Sequence, residues 1–190
     1  KLQMCFNAKE DFMKLPDTRT KEFDSFIAEL KCQNVRPCSG LQNLCQDNNG
    51  KYFEVETKLF GSYKDDHCWY NAKQHAVSNG GNVIFGWALW QLPDGKLIAQ
   101  HHAIYQDQNG NYLDVTLARK GYGKILFFVD DRAPFDFLNL KCPGNFEYDH
   151  NVKKLWFARG QAHDHFFIAV LTSNNYVDQL IADWKRLGVI

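Results

Sequence analysis

Apolar positions along the chain recur every three to four residues in some stretches and every second residue in others, and the order of these stretches sets the first structural expectation. From Thr18 to Cys32, Phe23, Phe26, Ile27 and Leu30 fall at helical spacing, with Asp17 or Thr18 as the expected cap. Turn-forming residues follow at Pro37-Cys38-Ser39-Gly40 and Asp47-Asn48-Asn49-Gly50. Between Tyr52 and Leu59, Phe53, Val55 and Thr57 alternate with charged neighbours and predict a strand.

The run from Cys68 to Val77 reads as a helix that Asn79-Gly80-Gly81 brings to a stop, which places Cys68 in its first turn. Three apolar segments come next: Val83 to Trp90, Lys96 to Gln106 and Tyr112 to Leu117. Pro93-Asp94-Gly95 and Gln108-Asn109-Gly110 join them as hairpin turns, so an antiparallel meander is expected directly after the Cys68 helix. Beyond Gly121-Tyr122-Gly123, Lys124 to Val129 is a further strand, and Asp130 to Gly144, with two prolines, is expected to be irregular. The end of the chain turns helical again: Asn174-Asn175 serves as the cap, and Val177, Leu180, Ile181, Trp184 and Leu187 form one apolar face up to Gly188. No repeat, low-complexity tract or linker divides residues 1–190, and a single α+β domain follows.

Composition narrows the class of function. Lysine plus arginine and aspartate plus glutamate each number 22, so no overall field favours a nucleic acid or an anionic membrane. No apolar run approaches the ~18 residues that would cross a bilayer. Six cysteines are too sparse for a disulfide scaffold of this length and are expected to be free thiols in a reduced, cytoplasmic setting, either in the producing cell or in one that receives the protein as an effector.

Reactive chemistry is expected at Cys68. A cysteine nucleophile acts as the thiolate, which the positive end of a helix and a nearby imidazolium both favour. The meander supplies the imidazole through His101-His102, whose side chains must face opposite sides of the strand, so at most one looks at Cys68. If the hairpin turns at Asn109-Gly110, position 114 comes near 105 and brings Asp114 within a pair or two of His102, where a carboxylate would fix the histidine's orientation.

In this order, Cys68, His102-Ala103-Ile104-Tyr105 and Asp114-Val115-Thr116 resemble the core of the transglutaminase-like branch of the papain-type superfamily. The longer run of Cys68-Trp69-Tyr70-Asn71, Gly80-Gly81, Gly86 to Trp90, His102-Ala103 and Asp114-Val115-Thr116 is also similar to a group of uncharacterised bacterial proteins. The likeness covers residues 65 to 117, and Leu117 departs from the proline that often follows Asp-x-Thr. The resemblance implies a papain/transglutaminase-like fold in which the Cys-bearing helix packs on the sheet, and a catalytic triad of Cys68, His102 and Asp114. It implies a thiol enzyme that works through an acyl thioester on a protein or peptide substrate, with no cofactor; hydrolysis, glutamine deamidation and acyl transfer to an amine share this machinery, and an amide hydrolase or glutamine deamidase is favoured among them. It also selects His102 over His101 as the base.

The oxyanion partner is left open between the backbone N–H of Cys68 and the side chains of Trp69, Asn71, Trp87 and His101. Two other classes compete. Cys32, Cys38 and Cys45, or His101 and His102 with His163-Asp164-His165, could bind a metal, although the cysteine spacings match no tight zinc pattern. Alternatively the aromatic surface serves a non-enzymatic interaction domain, in which Cys68 is only a small buried apolar residue.

Overall fold

The computed structural model describes residues 13–32, 50–116, 123–138, 140–157, 167–169 and 175–190. The first helix, α1 (Lys21–Cys32), buries Phe23, Phe26, Ile27 and Leu30, as its spacing predicts. Its cap is neither Asp17 nor Thr18. Thr20 takes that position, its Oγ1 accepting from Phe23 N at 3.2 Å, while the Asp17 carboxylate closes a local turn on Arg19.

Five strands and one helix then build the centre: β1 (Tyr52–Glu56), α2 (Cys68–Asn79), β2 (Asn82–Gln91), β3 (Leu97–Gln106), β4 (Tyr112–Leu113) and β5 (Lys124–Val129). Gly80, with φ of 75°, ends α2 in a conformation that costs residues with a side chain more than it costs glycine. β2, β3 and β4 form the expected meander. β5 does not extend it past β4 but inserts between β1 and β2, antiparallel to both. The Gly86 carbon lies so close to the Phe128 carbonyl that a Cβ there would collide with it, which explains a glycine inside a core strand.

The sheet curls until its fourth strand meets its first. After Leu113 the chain leaves β3; Asp114 N donates to Glu56 O and Lys58 N donates to Asp114 O, both at 2.9 Å. Ile84, Ala88, Trp90, Ile98, Ile104, Ile125 and Phe127 fill the inside of the curl. The alternate residues face outward, where Phe85, Ala103 and Tyr105 pack under α2 and Trp87, Leu89 and Ala99 pack under α1. β2, β3 and β5 therefore bury both faces, which explains why β2 and β3 read as nearly continuous apolar runs.

The remaining elements are β6 (Lys141–Pro143), β7 (Phe146–Asp149), β8 (Lys154–Phe157), β9 (Phe167–Ala169) and α3 (Asn175–Arg186). β7 pairs with β3 and β8, which extends the large sheet, and β6 pairs with β9. Residues 130–144, expected to be irregular, thus contain β6: three residues carry no readable alternation, and the partner lies more than twenty positions away. α3 packs on α2, with Trp184 stacked on Tyr70 and its indole N–H donating to Gln74 Oε1 at 2.9 Å. Leu187 does not join the apolar face of α3; the helix ends at Arg186 and Leu187 is exposed in the following turn.

Leu117, Gly121, Tyr122, Asn174, the turn residues Pro37 to Asn49, and Cys38, Cys45, His163, Asp164 and His165 lie outside the described residues.

Candidate active site

Cys68 is the first residue of α2. A sharp turn precedes it, with Asp66 at φ 60°, and His67 at the cap position makes no side-chain capping bond. The first N–H groups of a helix have no intrahelical acceptor, and together with the aligned peptide dipoles they give this end a partial positive charge.

His102 and His101 occupy successive positions of β3, His102 on the inner face and His101 on the outer. β7 pairs with β3 only through Ala99 and β4 only from Tyr105, so among the described strands none pairs with this edge of β3 in between. There the start of α2 addresses both faces, Cys68 interacting with His102 while Trp69 Nε1 donates to His101 Nδ1 at 2.9 Å.

His102 Nε2 lies 3.1 Å from Asp114 Oδ1, which leaves Nδ1 for the thiol. Burial works against the imidazolium. The Asp114 carboxylate, the charge of Cys68 and hydrogen bonds to both outweigh that effect and hold His102 well above the usual histidine range.

Asp114 is completely buried and held from several directions. Its Oδ1 also accepts from Thr116 N at 3.0 Å, and its Oδ2 accepts from Thr57 Oγ1 at 3.3 Å. The hairpin register differs by one from expectation: Leu113, not Asp114, stands opposite Tyr105. Asp114 reaches His102 because its backbone has already passed to β1.

His101 is fixed in the opposite state. Its Nε2–H donates to Ala133 O at 2.6 Å while Nδ1 accepts from Trp69, so both nitrogens of a neutral ring are satisfied. Burial holds its pKa down at about 3; the Ala133 bond opposes this and neighbouring His102 adds to it.

The side chains expected as oxyanion candidates are engaged or enclosed. Trp69 gives its indole N–H to His101. Asn71 is fully buried; its Nδ2 donates to Lys64 O at 2.7 Å and Thr116 Oγ1 at 2.8 Å, and its Oδ1 accepts from Tyr176 OH at 2.8 Å. Trp87 lies in the core beneath α1, its Nε1 sealed away without a partner among the described residues.

Cys142, which no sequence signal singled out, shares the apolar cluster of Cys68. Burial, reinforced by Cys68, pushes its thiol up to about 12, so it stays protonated. Among the described residues no group of three or more His, Cys, Asp or Glu side chains is arranged to hold a metal. Two open depressions, one near Asp17, Gln91 and His150 and one near Tyr63, Gln74 and Tyr176, include none of Cys68, His102 and Asp114. None of the described helices is long and apolar enough to cross a membrane.

No family model, curated protein or solved structure matches the chain.

Proposed function

We propose that this protein is a thiol hydrolase of the papain/transglutaminase kind, acting on amide bonds of proteins or peptides as an amide hydrolase or glutamine deamidase. The observation that carries the reading is the continuous array from an uncapped helix start through a buried imidazole to a buried carboxylate: Cys68, His102, and Asp114 at 3.1 Å from His102. This order of helix start, imidazole and carboxylate supports the roles of nucleophile, base and orienting group.

The Cys68 thiolate attacks the amide carbon, a C–S bond forms, and the carbonyl π pair moves to oxygen. As the tetrahedral intermediate collapses, the C–N bond breaks and the amine or ammonia leaves with the proton from His102 Nδ1. Water then attacks the thioester, giving a proton to His102, and the carboxylic acid departs as Cys68 is restored. Asp114 keeps the ring oriented and stabilises its protonated form throughout. Among the described residues Cys32, Cys68 and Cys142 are free thiols, and we place the protein in a reducing compartment such as the cytoplasm.

The test is mass spectrometry of glutamine-containing peptides incubated with the parent and with Cys68→Ala. A Cys68-dependent mass gain of about 1 Da with ammonia release identifies deamidation, and new fragments identify chain cleavage. Unchanged peptides, with no acyl adduct on Cys68 after exposure to p-nitrophenyl acetate, would refute the reading.

A further inference from the structure

The tetrahedral intermediate needs donors aimed at its oxygen, and the side chains expected for that role are occupied or enclosed. Asn145, between β6 and β7, was not among those candidates, and its amide nitrogen is neither occupied nor enclosed. It is only 6% exposed, and its Oδ1 accepts from the backbone N–H of His101 at 2.8 Å. That bond takes the place of a strand partner on the open edge of β3, one residue from His102. It anchors the amide through its oxygen, and the Nδ2 hydrogens have no acceptor among the described residues. Nδ2 is not among the polar atoms that are both enclosed and unpaired, in contrast to Trp87 Nε1. Three residues earlier, Cys142 shares the apolar cluster of Cys68 and its thiol is raised in part by the charge of Cys68, which brings this segment into the surroundings of the nucleophile.

We propose that Asn145 Nδ2 is the side-chain donor of the oxyanion hole, acting with the backbone N–H of Cys68. The inference rests on the acyl-transfer reading above. A buried amide anchored through its oxygen presents its N–H without reorganisation, the property that makes such donors effective. Its segment follows the Cys68-to-Asp114 core by thirty residues, and no motif in the sequence marks it.

Alkylation and acylation separate this role from the thiolate–imidazole pair, because attack on iodoacetamide creates no oxyanion whereas attack on p-nitrophenyl acetate does. Asn145→Asp keeps an acceptor for His101 N–H and removes the donor; Asn145→Ala removes both. The expected result is that Asn145→Asp alkylates Cys68 within about threefold of the parent rate but acylates about 10²- to 10³-fold more slowly, with Asn145→Ala at least as impaired in acylation. Parental acylation in Asn145→Asp overturns the role of Asn145 alone. An equal fall of both reactions also overturns it, showing that Asn145 supports the fold rather than the intermediate. A parent that alkylates slowly and does not acylate overturns the thiol-enzyme reading, and the oxyanion hole with it.

Discussion

His102 Nε2 and Asp114 Oδ1 stand 3.1 Å apart across two segments that do not pair with each other at that point. The contact exists because Asp114 has left β3 for β1, where Thr57 and the backbone of Thr116 hold its carboxylate. Asp114→Asn keeps the shape and removes the charge. Acylation is expected to fall by about 10²- to 10⁴-fold, in the range seen when a nucleophile–base pair loses its orienting carboxylate. The sign of the pH effect follows from the same contact. The carboxylate favours the imidazolium, so removing it lowers the His102 pKa, and the alkaline limb of the pH–rate profile moves to lower pH.

His101 predicts acid sensitivity. Its folded pKa of about 3 lies below the unfolded value of about 6.5. Between these values the unfolded chain binds the additional proton, so stability is lost as pH falls through this window, by up to about 1.4 kcal/mol per pH unit from this group. Asp114-linked His102 has the opposite sign: its contribution is full below about pH 6.5 and is lost as pH rises through its raised folded value. Urea unfolding from pH 4 to 7 on the parent and on His101→Gln, which can still accept from Trp69 and donate to Ala133, is expected to show a shallower acid slope in the variant.

Asn71 predicts a coupled loss of stability and activity. Its amide ties α2 to Lys64, to Thr116 beside the Asp114 carboxylate, and to Tyr176 in α3. Asn71→Ala leaves several buried groups unpaired and is expected to cost about 2–4 kcal/mol, measurable by thermal or urea unfolding. Because Asn71 supports the site rather than the intermediate, the folded fraction of the variant is expected to lose alkylation and acylation of Cys68 to a similar extent.

Gly86 predicts a steric failure. It pairs with His102 across the strands, and any Cβ there strikes the Phe128 carbonyl. Gly86→Ala is expected to force β2 and β5 apart and destabilise the fold by about 3 kcal/mol or more. Reduced soluble yield and a lower unfolding midpoint would register it, whereas an unchanged midpoint would mean that β5 yields freely.

Much of this arrangement is legible in local pattern. The Cys68 helix with its glycine stop, the β2–β3 hairpin and the α1 face follow from spacing and turn residues alone, because each is settled by contacts a few positions apart. What escapes is what depends on distant partners. The insertion of β5 between β1 and β2 is fixed by pairing with Tyr52 to Glu56, more than sixty residues upstream. The departure of Asp114 from the meander depends on free backbone groups at Glu56 and Lys58. Thr20 wins the cap of α1 because Asp17 is taken by Arg19, a competition between near-equivalent capping side chains. Asn145 is invisible for the same reason as β5: its role follows from the backbone of His101, forty-four positions earlier.

The most direct test of the central claim is the pH–rate profile for iodoacetamide labelling of Cys68, with the site located by peptide mapping, in the parent and in His102→Ala. A thiolate–imidazolium pair gives rapid labelling below pH 7 that His102→Ala abolishes. Labelling that rises only near the free-thiol pKa of about 8.5, and is the same in both proteins, would contradict it.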